Sequence, residues 1–137
     1  MSVLSNFVSM TAHIYTFFIN QRKGFIMGYT NYWKQHTDIP DEVWDLIRKE
    51  IEYLIEYIGE GCIEVLENSS ETIAFNGRNK NAHEDFILNK TKTSDSLNFC
   101  KTARKPYDLA VWHILTYTSH LLGPVFEISR DRYGLCI

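Results

Sequence analysis

The sequence predicts an α+β fold, a two-layer sandwich in which a mainly antiparallel sheet carries two helices on one face. Two stretches with helical periodicity lie far apart in the chain, at residues 40–58 and 106–122. Short runs rich in β-branched and aromatic residues come before, between and after these stretches. Two of the intervening runs form a predicted hairpin, which argues against a doubly wound parallel sheet.

The first strand and the first helix have clear start signals. Residues 28–33, Gly-Tyr-Thr-Asn-Tyr-Trp, favour a strand. Asp38 is placed to cap the following helix, and Pro40 suits its first turn. Gly59 or Gly61 should end the helix. The apolar residues of the helix recur at steps of three and four, at Trp44, Ile47, Ile51, Leu54, Ile55 and Ile58.

The middle of the chain is predicted to form short strands. Residues 62–67 and 71–76 are joined through three turn-forming residues, Asn-Ser-Ser, and predict the hairpin. Asn76-Gly77 is a further turn signal. Residues 85–88 are predicted as a third strand, and residues 99–101 as a short edge strand.

The second helix begins at Pro106 and ends before Gly123-Pro124. Its apolar residues cover more than one face, so it should be the more buried of the two helices. Residues 125–129 alternate and predict a closing strand. The complete order is β-α-β-β-(β)-α-β, which is the order of ferredoxin-like folds.

Residues 1–26 differ in composition from the rest of the chain. They contain no acid and only two bases, Arg22 and Lys23, which follow the apolar residues instead of preceding them. This order does not suit a signal peptide, and polar residues interrupt any spanning helix. We interpret residues 1–26 as an extension, with three alternatives: an over-extended start before Met27, a loosely packed helix, or an interfacial amphipathic helix. Residues 27–137 form the predicted single α+β domain.

Charge and cysteine content limit the function. Residues 27–137 contain 12 of the 14 Lys and Arg residues and all 17 Asp and Glu residues, so acids outnumber bases in this region. Broad binding to nucleic acid or to an anionic membrane is therefore not expected, and any anion site must be local. The three cysteines are an odd number without C-x-x-C spacing, which favours a reduced, cytoplasmic protein.

The strongest candidate site is the basic segment before the second helix. A helix N-terminus attracts anions through its free amides and its dipole. Nearby donors could complete a phosphate site; they are Lys101, Thr102, Arg104 and Lys105. The segment has no glycine, so it is neither a Walker loop nor a dinucleotide fingerprint. The alternative is structural: Thr102 caps a turn, the bases pair with surface acids and Tyr107 packs.

Aromatic and polar residues elsewhere are further candidate ligand contacts. Tyr29 and Trp33 should point to one side of the first strand and Tyr32 to the other. One set should enter the core, with core packing favoured for Trp33, while the other could stack a base or form a protein interface. Asn76 and Arg78, at the middle loop, are included as candidate ligand contacts.

Other polar clusters have plainer explanations. The tripeptide His83-Glu84-Asp85 holds three metal-ligand types, but neighbours in a strand alternate faces. His113 and His120 share a helix face at a separation that favours two buried, hydrogen-bonded histidines over zinc. Cys100, beside Lys101, could have a lowered pKa. No metal and no cofactor are predicted.

Two motifs carry a family resemblance. Residues 28–33, Gly-Tyr-Thr-x-Tyr-Trp, and 99–108, Phe-Cys-Lys-Thr-x-x-Lys-Pro-Tyr-Asp, resemble the signature stretches of a family of small, uncharacterised phage and bacterial proteins. The resemblance covers residues 27 to about 130. It implies Met27 as the natural start and a phage or prophage setting, and it implies no activity.

Three functions remain open from the sequence. The first hypothesis is a non-catalytic domain that binds a phosphate-bearing, nucleotide-like molecule through the basic segment and an aromatic residue. The second is an interaction protein that binds a host protein through exposed aromatics and its acidic first helix. The third is a small enzyme acting on a nucleotide, although no nucleophile or paired-carboxylate spacing supports it.

Overall fold

The structure is a computed structural model that describes residues 30–59 and 61–131. The described part confirms the α+β class. Its elements in chain order are β1 (Thr30–Gln35), α1 (Asp41–Ile58), β2 (Glu64–Asn68), β3 (Thr72–Asn76), β4 (Phe86–Asn89), β5 (Asn98–Lys101), α2 (Asp108–Leu122) and β6 (Phe126–Arg130). The predicted extension, residues 1–26, and the candidate Tyr29 lie outside the described residues.

The strands form two antiparallel sheets of three strands each. One has the order β5-β1-β6 and the other β2-β3-β4, which contains the predicted hairpin. Isolated bonds connect the two sheets where Ile39 N donates to Lys90 O at 2.9 Å and Glu84 N donates to Lys101 O at 3.3 Å. The sequence predicted the antiparallel pairing but not the division into two sheets.

Helix α1 follows its predicted apolar stripe. Trp44, Ile47, Ile51 and Leu54 are buried against the core. The predicted cap is wrong, because the helix begins at Asp41 without a side-chain cap. The Asp38 carboxylate instead accepts a hydrogen bond from the Lys92 amide at 2.8 Å, which ties the start of the helix to the segment after β4.

Helix α2 is the more buried helix, as predicted. Nine of its fifteen residues are buried, and the helix packs against α1, β6 and β1. It ends at Gly123, whose φ of +70° lies in the left-handed region that glycine adopts without strain. Within the described residues, neither helix has the length and apolar character needed to cross a membrane.

Two isoleucines, one in the core and one at the surface, should differ greatly in their contribution to the free energy of unfolding. Ile51 is buried in the core cluster, whereas Ile87, on β4, is 47% exposed. Ile51→Ala should lower the free energy of unfolding by about 3 kcal/mol, because deleted core volume leaves a cavity. The matched Ile87→Ala should change it by less than about 0.5 kcal/mol. Urea denaturation measures both, and equal effects would contradict the assignment of α1 to the core.

Candidate functional site

The first strand divides its aromatic residues between two environments. Trp33 is 3% exposed, and its ring centroid lies 5.2 Å from that of Phe86 in the core. Its ring is therefore too buried to stack on a ligand, in agreement with the core packing favoured for it. Tyr32 points to the opposite face of the sheet and is half-buried, and its hydroxyl donates to Asp131 Oδ1 at 3.2 Å.

Phe99 is the aromatic side chain that the sequence analysis missed. It lies directly opposite Tyr32 in the β1–β5 ladder and is 54% exposed. The Lys101 ammonium lies over the Phe99 ring, 5.9 Å from its centroid. The alternation of Phe99, Cys100 and Lys101 could have revealed this arrangement, because a buried Cys100 places both neighbours on the outer face.

The predicted basic segment forms a tight turn over residues 102–105, which we call the basic turn. The Lys105 amide donates to Thr102 O at 2.9 Å, and the Asp108 amide donates to Lys105 O at 2.9 Å. The two central residues of the turn, Ala103 and Arg104, have φ values of +52° and +60°. Lys101 and Arg104 are exposed, and Lys105 is half-buried. The turn therefore presents its basic side chains at the surface.

Thr102 takes a structural role. It is fully buried, and its hydroxyl donates to Asp108 Oδ1 at 2.6 Å. The same oxygen accepts a bond from Asn31 Nδ2 at 2.8 Å, while the other carboxylate oxygen pairs with Arg130. Thr102 thus holds Asp108 and is not accessible as a phosphate ligand. This agrees with the structural alternative for Thr102, although its partner is a side chain of the helix.

The Asn76 side chain closes the middle loop. Its Oδ1 accepts bonds from the Gly77 amide at 2.6 Å and the His83 amide at 3.0 Å. Its Nδ2 donates to His83 O at 3.1 Å and to Asp85 Oδ1 at 2.7 Å. Asn76 is also buried. It therefore fixes the position of the loop that carries Arg78 and is not itself placed to contact a ligand.

Tyr107 links the middle loop to the end of β5. This side chain is fully buried, and its hydroxyl donates to Glu84 O at 2.5 Å. A Cβ added to Gly77 would lie 3.1 Å from the Tyr107 ring and only 2.1 Å from Asn81 O, so the loop can approach only with glycine at this position. The Tyr107 hydroxyl also lies 3.4 Å from Lys101 O, so one side chain links the Arg78 loop to the strand that leads into the basic turn.

The acids of these segments are bonded within the protein. The Glu84 carboxylate accepts a hydrogen bond from the Lys101 backbone amide at 2.8 Å, and the Asp85 carboxylate accepts one from the Asn76 side chain. Asp108 is fully buried beside Arg130. Four of the bases in these segments define what we call the basic rim, which consists of Arg78, Lys101, Arg104 and Lys105. The rim groups four bases in a domain whose acids outnumber its bases.

Cys100 does not have the lowered pKa that Lys101 was expected to give it. Burial, and next the charge of Glu84, raise the pKa of the Cys100 thiol to about 12. Its Sγ lies 3.6 Å from Glu84 O and 3.7 Å from Asp85 O. The thiol is therefore protonated at neutral pH and is a poor nucleophile. In the described part of the chain, no three His, Cys, Asp or Glu side chains are placed to hold a metal ion.

The two histidines of α2 differ in burial, although the sequence favoured two buried histidines. His113 is fully buried, with Nε2 2.6 Å from Oε2 of the buried Glu50 on α1, whereas His120 is exposed. The Tyr117 ring stacks near His113 with a centroid distance of 6.3 Å. Burial, and next the charge of Glu50, raise the pKa of Tyr117 to about 12. This group joins the two helices inside the core and is closed to solvent.

Comparison with protein family models, with curated proteins and with solved structures finds no match to this chain. The comparisons therefore supply neither a family nor a related activity. The basic rim, Phe99 and the buried residues that support them are the features that indicate a function.

Proposed function

We propose that this chain is a non-catalytic binding protein for a phosphate-bearing, nucleotide-like ligand. The phosphate binds at the basic rim, and the base stacks on Phe99 beside Tyr32. One observation carries the proposal: the buried Tyr107 links the Arg78 loop, which approaches its ring at Gly77, to Lys101 O, which lies 3.4 Å from its hydroxyl. The basic turn continues directly from this strand end, which carries the exposed Phe99 and Lys101.

The charges of the rim suit a phosphate. Lys and Arg side chains bind phosphate through charge-assisted hydrogen bonds, which are worth about 1.5–3 kcal/mol each. The neighbouring acids are bonded internally or buried, so they repel the ligand less than free surface acids would. Because the domain as a whole is acidic, the favourable region is small. This favours a small ligand over a long nucleic acid.

The aromatic part of the site lies next to the rim. Phe99 exposes about half of its surface on the outer face of the β5-β1-β6 sheet. Base–aromatic stacking contributes about 1–3 kcal/mol per base and tolerates different bases. Lys101 lies over the same ring, so a base that stacks there displaces the Lys101 ammonium, which can then bind the phosphate. The arrangement matches a molecule with an aromatic group beside a phosphate.

The reactive side chains nearest the rim favour binding over catalysis. Cys100 is buried and its pKa is raised, so little thiolate forms at neutral pH. Asp108 is buried, and Asn31, Thr102 and Arg130 all bond to its carboxylate. A carboxylate bonded in this way is a poor general base for an external ligand.

A second candidate function is protein interaction through the edge strand β5. Leu97, just before β5, and Phe99 are both more than half exposed. Among the described residues β5 has one ladder partner, β1, and the Lys101 end of its other edge is bonded to Glu84. An exposed edge with apolar side chains can pair with a strand of another protein. The proposal and this alternative share Phe99 but differ in their need for the basic rim.

Calorimetric titration with a panel of mono-, di- and cyclic nucleotides tests the proposal. The wild type should bind at least one member, and binding should weaken as salt concentration rises. The double variant Arg104→Ala/Lys105→Ala should lose measurable binding, and Phe99→Ala should lose about 1–3 kcal/mol of binding free energy. All variants should remain folded, because these side chains lie at the surface.

Two control variants match these changes away from the site. Lys49→Ala removes an exposed charge from α1, and Leu66→Ala removes an exposed apolar side chain from β2. Both should bind as the wild type does. No binding of any panel member up to millimolar concentration would reject the nucleotide proposal, and the protein-interaction function would then be the better candidate.

A further inference from the structure

The basic turn adopts a backbone conformation that its residues disfavour. Ala103 and Arg104 are consecutive residues with positive φ, and neither is glycine. Turns that need positive φ at both central positions strongly prefer Asn-Gly, Asp-Gly or Gly-Gly. Left-handed backbone strains residues that carry a Cβ. The turn is therefore less stable in isolation than the same turn with glycine.

Buried bonds on both sides hold the turn in this conformation. On one side, Thr102 is fully buried and donates its hydroxyl to Asp108. On the other side, the Asp108 amide donates to Lys105 O. Asp108 is in turn fixed by Asn31 on β1 and by Arg130 on β6. The ends of the turn are thus tied to two strands and to α2.

We infer that Thr102 and Asp108 are positioning residues, which hold the strained Ala103-Arg104 turn so that the basic rim is ordered before its ligand binds. This inference rests on the proposed function and adds to it the source of the rim's order. Long basic side chains lose conformational entropy when they bind a phosphate, and a rigid backbone reduces that loss. Strain held by the surrounding structure is a recognised way to order a binding loop.

Ala103→Gly separates this role from a merely structural one. Glycine relieves the strain at a positive φ, so the variant should melt a few degrees higher than the wild type. The same change lets the turn move, so its affinity for inorganic pyrophosphate should fall about tenfold, the equivalent of ordering one more long side chain. A residue that serves stability alone would not give higher stability together with weaker binding.

Thr102 provides an independent variant pair. Thr102→Ser keeps the hydroxyl whose hydrogen bond Asp108 accepts. Its affinity for pyrophosphate should stay within about threefold of the wild type, a smaller change than the cost of ordering one side chain on binding. Thr102→Val removes the hydroxyl and should weaken binding by about tenfold or more, because the turn is released from Asp108. As a control, Ser70→Gly loosens the exposed β2–β3 turn and should leave pyrophosphate affinity unchanged.

The result that supports the inference is an Ala103→Gly protein that is more stable and binds pyrophosphate more weakly, with Thr102→Ser close to the wild type. The inference is overturned if Ala103→Gly binds as tightly as the wild type, or if it gains no stability. It is also overturned if the wild type does not bind pyrophosphate. The nucleotide panel judges the proposed function separately, so the two failures are distinguishable.

Discussion

Glu50→Ala should lower the free energy of unfolding by about 4 kcal/mol. Glu50 and His113 are both buried and lie 2.6 Å apart across the interface between α1 and α2. Removing the carboxylate leaves the His113 ring buried without its partner, and breaking a buried pair from one side costs about 3–5 kcal/mol. Chemical denaturation of the full chain measures the change.

Two further variants make this result specific. Glu52→Ala removes an exposed carboxylate from the same helix and should change stability by less than about 0.5 kcal/mol. Replacing both members, as Glu50→Leu/His113→Leu, should recover much of the loss, because apolar residues can replace a buried pair at little cost. If the double variant were no more stable than Glu50→Ala, the loss in Glu50→Ala would not come from leaving His113 without its partner.

Asp108→Ala should also cost about 4 kcal/mol. The change leaves Arg130 without its carboxylate and removes the acceptor of Thr102 and Asn31. Buried donors without a partner cost about 1–3 kcal/mol each, and an uncompensated buried charge costs more. The Arg130 guanidinium keeps its cation–π contact in this variant, because its Cζ lies 4.7 Å from the centroid of the Trp112 ring.

The control for Asp108 is a surface pair of the same kind. Glu127 on β6 pairs with His36, and both side chains are well exposed. Glu127→Ala should change stability by less than about 1 kcal/mol, because exposed ion pairs contribute little. Thermal unfolding of both variants gives the comparison. Similar effects at Asp108 and Glu127 would show that the Asp108 cluster does not hold α2 to the β5-β1-β6 sheet.

The elements of the fold were predictable because each has a local signal. The stripe from Trp44 to Ile58 predicted α1, and Gly123 predicted the end of α2. The division of the strands into two sheets has no local signal. It depends on β1 pairing with two strands, β5 and β6, that come much later in the chain. Pairing at that distance is set by the packed core.

The candidate site was predicted only in part, for a similar reason. The adjacent bases Arg104 and Lys105 could be read as a group from the sequence. The burial of Thr102 could not, because it depends on Asp108, which is itself held by Asn31 and Arg130 from two strands. The position of Arg78's loop also depends on a tertiary contact, the packing of Gly77 against Tyr107.

Amide chemical-shift mapping of the isotope-labelled full chain, during titration with the tightest nucleotide of the panel, tests the proposed function most directly. The proposal predicts that the largest shifts fall on Arg78, Phe99 and residues 101–105, with little change along the exposed face of α1. It also predicts that these shifts are lost at the same ligand concentration in Arg104→Ala/Lys105→Ala. Saturating shifts confined to other surfaces, or no shifts at millimolar nucleotide, would contradict it.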